Sequence, residues 1–234
     1  MNRPSLFSRT APWTAIAVLI WASALAKEDS RSYLNGVSAD PTSVLAPPPA
    51  AGSPEEGADL QSVREVVQSA ESNSIVAALS EKKFSCLSFT PAIGQCFESG
   101  KLPKTERFLE HVQEDASAIA DEAKEHWKRP RPYSVDTNLA AGKLEKTFSY
   151  PSGHSTEGTA LALVLADLFP DKREAILAEG RAIGWHRVQL GRHYPTDIYA
   201  GRVLAQAIVQ EMKKNKRFEK DFAEAKAEIA AAKH

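Results

Sequence analysis

Apolar residues recur at three- and four-residue multiples over the middle of the chain, which is the spacing of one buried helix face. From Pro103 onward the series comprises Phe108, Val112, Ile119, Ala123 and Trp127. Prolines at positions 130 and 132 cannot continue a helix, since proline lacks the amide hydrogen and clashes with the preceding turn. The pattern therefore predicts a long amphipathic helix that ends before Pro130, followed by a loop over residues 133–150.

The segment from Thr156 to Leu168 is apolar nearly all round, which is typical of a helix at the centre of a bundle. Further helices are predicted from Asp171 to about Leu190, from Pro195 onward, and from Phe218 to Ala232. No stretch shows the alternation expected of a half-buried strand. The fold class predicted is all-α, with a single helical-bundle domain.

The N-terminus has the three parts of a secretion signal. Arg3 and Arg9 supply positive charge, residues 15–21 form a short apolar run, and Ala24-Leu25-Ala26 matches an A-x-A cleavage site. We expect cleavage after Ala26 and no stable membrane insertion thereafter. An uncleaved membrane anchor is the alternative, although the apolar run is short for a span.

Three regions follow from this pattern. Residues 1–26 are the signal peptide, and residues 27–52 are rich in Ser, Pro and Ala, as in an extended linker or an arm laid on the domain. Ser53-Pro54-Glu55-Glu56 then resembles a capped helix start. Residues 53–234 are predicted to form the folded domain.

The overall composition is that of an ordinary globular protein, with 43% hydrophobic and 25% charged residues among 234. The formal net charge of −1 argues against a nucleic-acid-binding protein that works by bulk electrostatics. Cys86 and Cys96 are close in sequence, and export would favour a disulfide bond between them. A metal site is less favoured, because no second Cys or His pair has a suitable spacing.

Three short runs carry the candidate chemistry. They are K-x6-R-P from Lys124 to Arg131-Pro132, Pro151-Ser152-Gly153-His154, and R-x5-H-x3-D from Arg187 through His193 to Asp197. Each run alone has an ordinary structural explanation as a turn, a cap or a surface charge. Their occurrence together favours an enzyme.

The second run is suited to binding an oxyanion. Ser152 and Gly153 precede the central apolar helix, whose first N–H groups and positive dipole end attract anions. Lys124, Arg131 and Arg187 would add positive charge around the same point. Arg129-Pro130 is a second R-P pair, but the lysine position of that register falls on Glu122. We therefore assign Arg131, and not Arg129, to the cage.

The third run pairs an imidazole with a carboxylate. Asp197, in the first turn of a helix, is expected to accept a hydrogen bond from one ring nitrogen of His193, which leaves the other nitrogen free to attack. A structural His–Asp cap or half of a metal site are the alternatives. His154 is the candidate general acid, because its titration range suits proton donation in mildly acidic conditions.

Together the three runs resemble the phosphatidic acid phosphatase/vanadium haloperoxidase superfamily, and within it the bacterial class A non-specific acid phosphatases. That resemblance implies an exported, periplasmic, all-α phosphatase that hydrolyses phosphate monoesters without a metal or other cofactor. It implies that His193 forms a phosphohistidine, that Asp197 orients it and that His154 protonates the leaving alcohol. Phosphate-binding roles follow for Lys124, Arg131, Ser152, Gly153, His154 and Arg187.

One position departs from the family pattern, because His186 stands where serine usually precedes the arginine of the third run. Two other functions remain open: a vanadate-dependent haloperoxidase, and a non-catalytic phosphate-binding protein. We expect small phosphate monoesters as partners and no nucleic acid. The apolar helices could pack within one subunit or between the subunits of a homo-oligomer.

Overall fold

The computed structural model describes residues 32–34, 40–80, 84–139 and 144–232, so the predicted signal peptide lies outside the described residues. The helices are α1 Pro41–Val44, α2 Pro54–Ser69, α3 Ser72–Ser80, α4 Thr90–Ile93, α5 Pro103–Trp127, α6 Pro132–Val135, α7 Gly153–Leu168, α8 Arg173–Gln189, α9 Pro195–Met212 and α10 Lys216–Ala232.

Helix α7 is the centre of the fold, as its nearly uniform apolar surface predicts. It packs against α5, α8 and α9, and α10 packs mainly against α5. The described ranges contain no strand, which confirms the all-α prediction. None of the helices in these ranges combines the length and hydrophobicity needed to cross a membrane.

Glycines allow α7 and α8 to approach closely. A Cβ atom placed on Gly180 of α8 would lie 2.6 Å from the Cβ of Ala162 and 3.0 Å from the backbone oxygen of Gly158, both in α7. These distances leave no room for a methyl group. The close contact fixes how the two helices cross, and their site-facing ends therefore have a fixed separation.

The described part of the segment before Ser53 lies against the helices as an arm. The backbone N–H groups of Ser32, Tyr33 and Leu34 donate to the carboxylate of Asp115 in α5, at 2.7, 2.7 and 3.2 Å. Farther along, the hydroxyl of Tyr150 donates to the carbonyl oxygen of Ala46 at 2.5 Å. The arm thus contacts both the bundle and the segment that leads into α7.

The segment over 133–150, expected to be a loop, is partly helical in its described residues. Helix α6 starts at Pro132, and a 3-10 turn follows at Thr137–Leu139. The helix expected from Asp171 begins at Arg173, after a 3-10 turn over Pro170–Lys172. The first difference is a short helix that begins at a proline within the expected loop, and the second is a shift of the helix start by two residues.

The predicted disulfide bond is absent, because Cys86 and Cys96 are both free thiols. The two cysteines lie in separate 3-10 turns, Cys86–Phe89 and Gln95–Phe97, which direct the first into the core and the second to the solvent. Burial raises the pKa of Cys86 to about 12, so this thiol stays protonated and unreactive. The expectation of a bridge was wrong because sequence proximity does not fix side-chain direction.

Replacing Gly180 with alanine should lower the free energy of unfolding by about 2 kcal/mol, because the new methyl group forces α7 and α8 apart. Chemical denaturation followed by circular dichroism measures the change. Gly57→Ala is the matched control, since Gly57 is exposed in α2 and its added Cβ meets nothing within 4 Å. That variant should gain about 0.5–1 kcal/mol. Equal effects at the two positions would contradict the close-packing argument.

Candidate active site

The three sequence runs meet at the N-terminal end of α7. Lys124 comes from the last turn of α5, and Arg131 follows that helix. Arg187 lies in the last turn of α8, and His193 lies in the connection to α9. Helix ends from three sides thus converge on one point, although their sequence positions are far apart.

His193 is held between a carboxylate and a guanidinium. Its Nδ1 lies 3.3 Å from Oδ2 of Asp197, and its Nε2 lies 3.0 Å from Nη1 of Arg131. Because arginine can only donate, Nε2 accepts and carries the lone pair, while Nδ1 carries the proton toward Asp197. This tautomer directs the unprotonated nitrogen toward Arg131 and away from Asp197.

Asp197 is completely buried and surrounded by donors. Its Oδ1 pairs with Nη1 of Arg129 at 2.7 Å, and its Oδ2 accepts from the hydroxyl of Ser149 at 2.5 Å and from the backbone N–H of Tyr194 at 2.9 Å. Burial raises the pKa of this carboxyl group, and Arg129, Ser149 and Tyr194 oppose that rise. The same contacts fix the carboxylate behind the imidazole.

The lysine spacing excludes Arg129 from the predicted cage, and in the structure Arg129 occupies a different position from Arg131. Its Nη2 pairs with Oδ2 of Asp59 in α2 at 2.8 Å, and its guanidinium carbon lies 3.7 Å from the ring centroid of Tyr194. Asp59 also accepts from the backbone N–H of Thr196 at 3.3 Å. The chain Asp59–Arg129–Asp197 therefore connects α2 to His193.

The first turn of α7 borders a cavity through His154. Ser152 caps the helix by accepting from the backbone N–H of Ser155 at 3.3 Å, and the amides of Gly153 and His154 begin the first turn. Lys124 is buried beside them, with Nζ 2.7 Å from Oδ1 of Asp121. A Cβ on Gly153 would lie 3.1 Å from this Nζ, so glycine lets the ammonium group reach the helix end.

Arg187, His154 and Arg192 line this cavity, whose volume is about 420 Å³. Arg131 is fixed by donation from Nε to the carbonyl oxygen of Thr147 at 2.8 Å and from Nη1 to that of Arg192 at 3.1 Å. Arg187 is 2% exposed, and its buried Nε has no partner within the described part of the chain. His186, the departure from the family pattern, is half-buried next to it in α8.

Both histidines favour the neutral state in this environment. Burial and the charge of Arg131 hold the pKa of His193 well below its usual value. Burial and the charge of Arg187 lower the pKa of His154 to about 3. The lone pair on Nε2 of His193 therefore stays unprotonated in mildly acidic solution.

Within the described ranges, no group of three or more His, Cys, Asp and Glu side chains is arranged to hold a metal ion. The cations of the site are side chains: Lys124, Arg131, Arg187 and Arg192.

Comparison with known proteins gives consistent results. Residues 115–217 match the PAP2 superfamily model. The non-specific acid phosphatase of Providencia stuartii is 32% identical over 222 residues, which cover 88% of each chain. The acid phosphatase of Zymomonas mobilis is 31% identical over 204 residues, or 83% of this chain and 77% of that protein. The lipid A 1-phosphatase of Rhizobium etli is 47% identical over 53 residues, 23% of each chain.

The chain belongs to the bacterial class A non-specific acid phosphatases. This acid phosphatase is accordingly an enzyme that hydrolyses phosphate monoesters. All three relatives have phosphatase names, which favours hydrolysis over the haloperoxidase and the non-catalytic binding protein. The superfamily match covers the described site from Lys124 to Asp197.

In this phosphatase we expect Arg129→Lys to lower kcat by about 10–100-fold with little change in KM. Lysine keeps the charge but cannot bridge both Asp59 and Asp197, so His193 loses its fixed orientation. Steady-state kinetics with an aryl phosphate measures the effect. Arg64→Lys is the control, because Arg64 pairs with Asp136 at 2.7 Å while 41% of its side chain is exposed. Comparable losses in both variants would argue against the positioning role.

Proposed function

We propose that the enzyme hydrolyses a broad range of phosphate monoesters through a phosphohistidine formed on Nε2 of His193. The observation that carries this proposal is the orientation of the imidazole, with Nδ1 on Asp197 and Nε2 on Arg131. The nucleophile thus has its orienting carboxylate on one side and a phosphate-binding group on the other. The relatives named non-specific acid phosphatase support the breadth of substrates.

The phosphoryl oxygens would be bound by Arg131, Arg187, Lys124 and the first backbone N–H groups of α7, including that of Gly153. Planar guanidinium groups can each hold two oxygens, and the helix N-terminus adds a fixed positive potential. These groups are built into buried helix ends, so they need little reorganisation when negative charge develops in the transition state. In this scheme no metal is required for charge neutralisation.

The reaction has two steps that share one acid–base group. In the first, Nε2 of His193 forms a bond to phosphorus as the ester P–O bond breaks, and His154 gives its proton to the leaving alkoxide. In the second, neutral His154 takes a proton from water as the oxygen attacks phosphorus, and the P–N bond breaks to release phosphate. The low pKa of His154 without a ligand suits the second step, and a bound phosphoryl anion favours the protonated form needed for the first.

We also propose that the enzyme is exported to the periplasm. Residues 1–26, which lie outside the described ranges, carry the arginines, the apolar run and the A-x-A site of a signal peptide. Expression in a bacterial host should therefore yield a periplasmic protein whose first residue is Lys27. Cell fractionation with N-terminal sequencing checks this expectation, and a protein retained with Met1 in the cytoplasm would contradict it.

The two histidines should differ in their dependence on the leaving group. His193→Ala should abolish turnover of every ester and leave no acid-labile phosphoenzyme on rapid quenching. His154→Ala should lower turnover of an alkyl phosphate by about 10²–10⁴-fold, and that of p-nitrophenyl phosphate less, because p-nitrophenolate leaves without a proton. His126→Ala, at an exposed position of α5, is the control and should retain wild-type rates. Full activity of His193→Ala would disprove the mechanism.

A further inference from the structure

A carboxylate already lies among the phosphate-binding arginines. Oε2 of Glu145 is 2.6 Å from Nη2 of Arg131, and its Oε1 contacts Nη2 of Arg187 and lies 3.1 Å from Nη1 of Arg192. Glu145 belongs to none of the three sequence runs, and its sequence neighbours gave no reason to place it in the site. Three guanidinium groups therefore all pair with the carboxylate of Glu145.

The position of this carboxylate overlaps the expected position of phosphate. Arg131 contacts the nucleophilic Nε2 of His193 through Nη1 and Glu145 through Nη2, so both groups lie on one guanidinium. Carboxylate and phosphoryl oxygens use the same planar arginine donors. An incoming phosphoryl group must displace the Glu145 carboxylate to form these contacts.

Acidic solution does not remove this competitor. Burial disfavours the charged form of Glu145, but the charges of Arg131 and Arg187 outweigh that effect and hold its pKa below the usual value. The side chain stays negative across the mildly acidic range in which the enzyme is expected to work. Competition with substrate is consequently a constant property of the pocket and not a pH switch.

The local structure allows the side chain of Glu145 to leave while its backbone stays in place. The hydroxyl of Tyr133 donates to the carbonyl oxygen of Glu145 at 2.9 Å, and the N–H of Glu145 donates back to that hydroxyl at 3.1 Å. The side chain of Glu145 is 27% exposed at the cavity of about 420 Å³. Rotation about its side-chain bonds would therefore move the carboxylate from the arginines into the cavity.

We propose that Glu145 is an internal competing anion that sets the affinity of the pocket for phosphate. The proposal rests on the proposed function, because it assigns these arginines to the phosphoryl group. If the carboxylate occupies the arginines nine times in ten, the apparent dissociation constant of phosphate rises about tenfold. Product phosphate is then released more readily, and an ester must displace Glu145 before it reacts.

A purely structural role for Glu145 predicts the opposite result. If the carboxylate only holds Arg131, Arg187 and Arg192 apart, its loss would disorganise the cage and weaken phosphate binding. The sign of the change in affinity therefore separates the two roles. Loss of activity alone would not do so.

The test compares the wild type with Glu145→Gln, which keeps the shape of the side chain and removes its charge. Isothermal titration calorimetry with inorganic phosphate gives the dissociation constant, and inhibition of p-nitrophenyl phosphate hydrolysis gives Ki. We expect both constants to fall about tenfold in Glu145→Gln. Glu110→Gln, at an exposed position of α5, removes the same charge elsewhere and should change neither constant by more than about twofold. Unchanged or weaker binding by Glu145→Gln overturns the proposal.

Calorimetry separates a failure of this proposal from a failure of the proposed function, because it needs no turnover. Tighter phosphate binding by Glu145→Gln would support the competing anion even if the wild type hydrolysed no ester. Absence of hydrolysis by the wild type would instead refute the proposed function.

If Glu145→Gln does not fold, Glu145→Asp replaces it. Aspartate keeps the charge but is one methylene shorter and cannot span the three arginines, so phosphate should bind more tightly than in the wild type. Equal or weaker binding would count against the proposal.

Discussion

The buried carboxylate of Asp197 is the constraint on which the site depends. It lies in the first turn of α9 and receives Arg129 from the segment after α5, Ser149 from the segment before α7, and the imidazole of His193. A buried carboxylate is tolerated only when hydrogen-bond donors and a positive charge are placed to pair with it. The contacts that pack these separate segments together therefore also orient the imidazole of His193.

The N-terminal end of α7 contributes positive potential to the site, whereas Asp197 contributes negative charge. A Cβ on Gly201 of α9 would lie 2.8 Å from the carbonyl oxygen of Ser152, so α9 touches the turn that begins α7. This contact places the helix N-terminus beside His193, and the ends of α5 and α8 add Lys124 and Arg187. The fold thus brings negative charge behind the imidazole and positive charge in front of it. That polarity suits attack on a phosphoryl group.

The helices, and the three runs that the fold brings together, could be predicted from the sequence because both depend on local patterns. Helical periodicity is a property of neighbouring residues. The runs that end at Arg131, His154 and Asp197 are also short, and their order along the chain indicates an anion-binding site with two histidines. Arg129 was excluded because the lysine spacing fits Arg131. Its bridge to Asp59 joins residues 70 positions apart, and no local pattern reports such a contact. Glu145 was missed for the same reason.

In the proposed mechanism, Glu145 and His154 are coupled through charge. In the ligand-free protein, Arg187 and Lys124 disfavour protonation of His154, and Glu145 partly offsets them. A phosphoryl group that displaces Glu145 carries up to one negative charge more than a carboxylate. Its binding therefore favours the protonated His154 that the proposed first step requires, and phosphate release would return the imidazole to its neutral state. The substrate thereby prepares the proton donor, so acid catalysis is available mainly when the pocket is filled.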